Sequence, residues 1–103
     1  MQSDWSVRAN RVTSRLRAVG GHLTVEGDTL RFEPHRVDRA LRGTPLIVAL
    51  ADIDEVSVAP RRPFSNIAGL RRQLVVQVGG QRTYFVVNRV EQVAEDLRRA
   101  SRP

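Results

Sequence analysis

Leu23 and Val25 alternate with His22, Thr24 and Glu26, and after Gly27-Asp28 the alternation resumes with Leu30 and Phe32 between Arg31 and Glu33. Two period-two runs joined by two turn residues predict a β-hairpin. Glycine stands first in the pair, which suits a turn that needs a positive φ at its first central position. Pro34 has no N–H to give to a ladder and ends the second strand. His22, Thr24, Glu26, Arg31 and Glu33 then share an outer, solvated face, where cross-strand pairs contribute a few tenths to about 1 kcal/mol each. Upstream, Val7 to Arg17 mixes Val12 and Leu16 with Arg8, Arg11, Arg15 and Arg17; the periodicity fits a strand or a helical turn. Gly20-Gly21 reads as a tight entry turn into the hairpin.

Downstream, PLIVAL (Pro45 to Leu50) is a short unbroken apolar run, the mark of a strand buried on both faces or crossing between sheets. Val56 and Val58 alternate around Ser57 and stop at Pro60. QLVVQV (Gln73 to Val78) and TYFVV (Thr83 to Val87) flank Gly79-Gly80-Gln81-Arg82 and predict a second hairpin, with Leu74, Val76 and Val78 on one face joined by Phe85 and Val87. The period then changes. Val90, Val93, Ala94 and Leu97 fall at i, i+3, i+4 and i+7, one apolar stripe on a helix. Asn88 is the expected N-cap, with Glu91 three residues on as in a capping box. Glu91, Glu95 and Asp96 precede Arg98, Arg99 and Arg102, the order the helix dipole favours.

The sum is mainly β with one C-terminal helix, on about seven strands. No segment of helical period long enough for a crossover separates the strands, so the sheet is expected to be antiparallel. An antiparallel half-open barrel or bent sandwich, its open end capped by the helix, protects the core and limits bare edges.

Composition narrows the possible functions. The chain of 103 residues is expected to be a single domain over residues 1–103, with 1–8 a flexible N-terminus on which Trp5 anchors to the domain surface. No apolar run approaches the ~20 residues of a membrane span. The opening MQSDWSVRANR has no apolar leader core, so a cytoplasmic chain is expected. There is no cysteine, which removes disulfides, thiolate metal sites and thiol catalysis. The net charge of +6 invites an anionic partner, but all 17 basic residues are arginine, a bias that points in part to genome composition.

No catalytic motif emerges. His22 and His35 stand outside any nucleophile pattern, GxSxG is absent, and Asp52, Asp54 and Glu55 are the only dense acidic group. Those acids are expected to cap backbone donors in a corner; calcium would need ~6–8 oxygen ligands. Neither glycine pair lies in a GxxxxGK[ST] loop or opens a helix, so nucleotide binding is not expected. With 5% aromatic residues there is no stacking ladder for nucleic acid, which is ranked below lipid and protein. The chain is therefore expected not to be an enzyme and to need neither cofactor nor metal, and no small-molecule substrate is expected.

The segments GGHLTVEGDTLRFEPHR (Gly20 to Arg36), PLIVALADIDEV (Pro45 to Val56) and RRQLVVQVGGQRTYFVVNRVEQVAEDL (Arg71 to Leu97) together resemble the pleckstrin-homology-like superfold. Their pattern looks most like its GRAM-domain branch as found in small actinobacterial proteins, over roughly Ala9 to Arg99. The resemblance implies a non-enzymatic module that binds membrane lipids, often phosphoinositides, or protein partners. Inositide-binding members carry a lysine-rich basic motif on the first hairpin. Here that region offers Arg15 and Arg17, then His22, Thr24 and acidic Glu26, so inositide specificity is not carried over.

Two basic loops hold the candidate contacts. In Glu33 to Pro45, Arg36, Arg39 and Arg42 recur every three residues and form one stripe if the loop coils. Arg15 or Arg17 with His35 and Arg36 would make a positive patch at one end of an antiparallel meander; the alternative is a solvated loop part-neutralised by Asp38. In Pro60 to Arg72, Arg61, Arg62, Phe64, Ile67, Arg71 and Arg72 make a basic–apolar–basic pattern. A peripheral membrane wedge has this form, each arginine contributing ~1 kcal/mol near an anionic surface. The alternative folds Phe64 and Ile67 back over the core. The first expectation is thus a protein-interaction adaptor, self-association included, using an exposed edge or these loops. The second is a peripheral binder of anionic membrane lipids.

Overall fold

The computed structural model describes residues 4–14, 17–35, 45–60 and 72–102. Alternating apolar positions fold as strands β1 (Trp5–Ser14), β2 (Arg17–Glu26), β3 (Thr29–Pro34) and β4 (Leu46–Ala49). A 3-10 turn (Leu50–Asp52) leads to β5 (Ile53–Ala59), β6 (Gln73–Val78) and β7 (Gln81–Val87), and the chain closes with helix α1 (Val90–Ser101). The strands form one antiparallel sheet in the order β4-β3-β2-β1-β7-β6-β5. It does not close into a barrel: β4 and β5 are its two ends. The expected mainly-β architecture with a terminal helix is what the chain adopts.

The sheet bends into a sandwich-like cup. Phe32 on β3 and Phe85 on β7 lie three strands apart in the sheet order, ~14 Å in a flat sheet. Their ring centroids are 5.6 Å apart. Leu23, Val25, Leu30, Phe32, Val56, Leu74, Val76, Phe85 and Val87 therefore meet in one core cluster. Helix α1 adds Val93, Ala94 and Leu97 to that cluster and packs on β5, β6, β7 and the 3-10 turn. The stripe predicted for the helix is the one it buries.

Both two-residue turns use glycine for its backbone freedom. Gly27 has φ +59° while Asp28 keeps a negative φ, and Gly79 and Gly80 have φ +57° and +84°. Each turn is also held by a carboxylate distant in the chain. Asp4 accepts the Gly27 N–H at 3.0 Å and Asp54 accepts the Gly79 N–H at 2.7 Å.

Four expectations need correction. Residues Trp5 to Arg8, placed in a flexible N-terminus, are already strand, and Trp5 packs against the core. Gly20-Gly21 is no turn but lies inside the ten-residue β2. A Cβ on Gly21 would come within 2.2 Å of the Glu33 carbonyl oxygen and 2.9 Å of the Phe32 ring, so glycine serves close packing of β2 on β3. PLIVAL is not a doubly buried strand: β4 is an edge strand whose inward Leu46 and Val48 alternate with outward Ile47 and Ala49. The N-cap of α1 is Arg89, not Asn88. Arg89 sits in the left-handed region (φ 52°, ψ 49°), makes no side-chain cap bond, and accepts the Val93 N–H through its carbonyl at 3.0 Å.

Candidate functional site

Strand direction decides which basic segments meet. β1 and β3 run the same way, so the connection at 15–16 and the one at 36–44 leave from the same end of the sheet. β5 runs the opposite way and hands the chain to residues 60–72 at the other end, the end of the Gly27-Asp28 turn. The two basic loops are thus attached at opposite ends of the strands.

Of the candidate contacts, Arg15, Arg36, Arg39, Arg42, Arg61, Arg62, Phe64, Ile67 and Arg71 lie outside the described residues, as does the side chain of Arg17. Arg17 opens β2 at the end shared by the first two connections. Arg72 sits at the other end, where its guanidinium forms a salt bridge with Glu91 on the first turn of α1. His35 follows β3, and its N–H donates to the Gly20 carbonyl at 2.9 Å.

The fold brings together two histidines that stand apart in the sequence. Register places His22 opposite Arg8 on one side and Glu33 on the other, with His35 diagonal to it on the outer face. The imidazole centroids are 5.2 Å apart, edge to face at 85°. Glu33 is engaged by Arg31 at 3.3 Å. Among the described residues no three His, Asp or Glu side chains gather where they could hold a metal ion. Of the corner acids, Asp54 caps a backbone donor, the Gly79 N–H, which belongs to a distant turn and not to the corner where the cap was expected.

A second feature lies at the edge of the sheet. Ile47 is 64% exposed, and it is the large hydrophobic residue the described surface leaves in water. It lies at the centre of β4, whose outer face pairs Ile47 with Arg31 and Ala49 with Thr29. β4 carries no charge, contains no bulge and has no strand on its far side among the described residues. β5, at the other edge, carries Asp54 and Glu55 and a register break between Ile53 and Glu55. Charges and bulges blunt an edge against strand addition. Among the described residues one edge of the sheet is therefore guarded and the other is open.

The signal for the open edge was present in part: PLIVA lacks the charged residue that an exposed strand normally carries. Its burial depended on which neighbours the fold supplied, and these a linear pattern does not name. No family model matches the chain, and no curated protein matches it in sequence. No helix among the described residues is long and apolar enough to cross a membrane.

Proposed function

We propose that this chain is a non-enzymatic binding module of the pleckstrin-homology-like, GRAM type that engages protein partners through the edge strand β4. The observation that carries the reading is Ile47, exposed at the middle of an uncharged strand along one side of which no strand pairs among the described residues. Main-chain groups at such an edge accept an added strand, and the exposed side chain supplies apolar contact. Seven antiparallel strands followed by one helix agree in order with what the resemblance implies. The test is affinity capture with the wild type, Ile47→Lys and a control, Arg82→Gln on the exposed start of β7, as baits. Partners retained by the wild type and the control but lost with Ile47→Lys support the reading. Equal retention on all three, or none on any together with no Ile47-dependent self-association, overturns it.

A second reading has its own observation. The start of β2 and the end of β3 bring Arg17 and His35 to one end of the sheet, and His22 and Arg8 adjoin His35 on the outer face. Together with the arginines of 36–44 they would form a cationic surface for anionic lipid, placing the protein at the periphery of a cytoplasmic membrane face. Flotation with anionic vesicles that fades above physiological salt supports this reading, since the Debye length there is ~8 Å. Absence of flotation at low salt removes it.

A further inference from the structure

We propose that the partner of β4 is the β4 of a second copy, paired antiparallel about a two-fold axis through Ile47. The inference rests on the edge-binding reading and names its occupant.

Hydrogen-bond alternation shows which groups β4 offers. Leu50 donates its N–H to the Asp28 carbonyl at 2.8 Å, which makes 28/50 a bonded pair in the β3–β4 ladder. Bonded pairs recur every second residue, so Val48 and Leu46 point their N–H and C=O groups at β3. Those of Ile47 and Ala49 point away, to the open side. In a two-fold pairing centred on Ile47, each Ile47 exchanges both backbone bonds with its twin. Ala49 donates to the twin's Pro45 carbonyl, and Pro45 has no N–H left to satisfy. The ladder closes within five residues.

Side chains favour this register and this occupant. Residues directly opposite share a face, so the two Ile47 side chains meet across the axis and leave water together. Centring the pair on Val48 would set Ile47 against the small Ala49 and leave most of it exposed. Among the described residues charge does not oppose the contact, although the chain carries +6. The nearest described cation on the outer face is Arg31, opposite Ile47 and already paired with Glu33. Across the dimer the two Arg31 backbones stand three strand spacings apart, ~14 Å, beyond the ~8 Å screening length of physiological salt. A head-to-tail pairing of β4 with β5 would instead have to accommodate the bulge and the Asp54–Glu55 acids. The isologous contact closes as a dimer rather than growing into a fibre.

The chain has no cysteine of its own, so a single introduced one reports the register. Opposed residues of a bonded pair have Cα atoms ~5.5 Å apart, inside the disulfide range of ~4.4–6.8 Å. Mild oxidation of Ile47→Cys should give a covalent dimer much faster than Glu55→Cys on the other edge. Sedimentation of the wild type along a dilution series should rise toward twice the 11.6 kDa of one chain. Ile47→Lys, which puts two cations face to face at an exposed position, should raise the dissociation constant at least about tenfold with an unchanged circular dichroism spectrum. A wild type that stays monomeric throughout, or disulfide formation no faster at Ile47→Cys than at Glu55→Cys, overturns the dimer. If Ile47-dependent capture of another protein persists in that case, the edge-binding reading survives and only its occupant is wrong. If capture is also independent of Ile47, both fall.

Discussion

Gly21 shows how one missing methyl can set a sheet. Its backbone passes so close to β3 that a Cβ would press into the Glu33 carbonyl oxygen at 2.2 Å, backbone against backbone, where no side chain can swing aside. Gly21→Ala should therefore destabilise by about 3 kcal/mol, the upper range for overpacking, read as a lower urea midpoint. The caps on the two turns predict a smaller effect. Asp54→Ala removes the acceptor of the Gly79 N–H in an exposed position and should cost about 1 kcal/mol, with Asp54→Asn retaining part of it. The alternating residues of both hairpins made these turns legible in the sequence, although the second is expected to run on through Gln81 and Arg82, which already belong to β7. The partners of Gly27 and Gly79 were not, because Asp4 and Asp54 reach them from 23 and 25 residues away. Gly20-Gly21 misled for a related reason: a glycine pair serves a turn and a close strand contact equally well, and only Phe32 and Glu33 across the ladder distinguish the two.

Helix α1 is the element whose sequence pattern and packing agree best. Val93, Ala94 and Leu97 are buried as the 3.6-residue period requires, and Arg98 ties the helix to β5 by donating from Nε to the Val56 carbonyl at 2.9 Å. Leu97→Ala opens a cavity beneath a fully buried side chain and should cost about 2–5 kcal/mol. The helix start was misread by one residue. Arg89 holds a left-handed conformation that costs a non-glycine residue roughly 1–2 kcal/mol. Arg89→Gly should accordingly stabilise the protein by about 0.5 kcal/mol after the entropy that glycine adds to the unfolded chain; a lower melting temperature in that variant would contradict the assignment. For strands the pattern located elements but not their surroundings. In QLVVQV, Leu74 and Val76 join the core as expected, yet Val75 is also buried on the opposite face, beside Tyr84 and near Val86. PLIVAL erred in the other direction, its apolar run placed at an edge. Apolar residues state a preference for burial, and the sheet order decides whether they obtain it.

At the scale of the whole molecule, topology constrains what the +6 charge can do. A membrane is locally flat, and a rigid domain presents one end to it. The segment that carries Arg36, Arg39 and Arg42 follows His35 at the end of the sheet where β2 begins at Arg17, whereas the one that carries Arg61 and Arg62 joins β5 to β6 at the far end, where Arg72 is bound to Glu91. An anionic surface that recruits this domain should therefore read one group and not both. Charge reversal of Arg36, Arg39 and Arg42 together should abolish flotation with anionic vesicles. Each lost contact removes ~1 kcal/mol, so three should lower the partition coefficient by roughly two orders of magnitude. Reversal of Arg61 and Arg62 should leave it within about threefold, through the long-range field alone. Equal losses from the two sets would mean that the whole charge, not one end of the sheet, draws the protein to lipid, and that the direction of β5 has no bearing on binding.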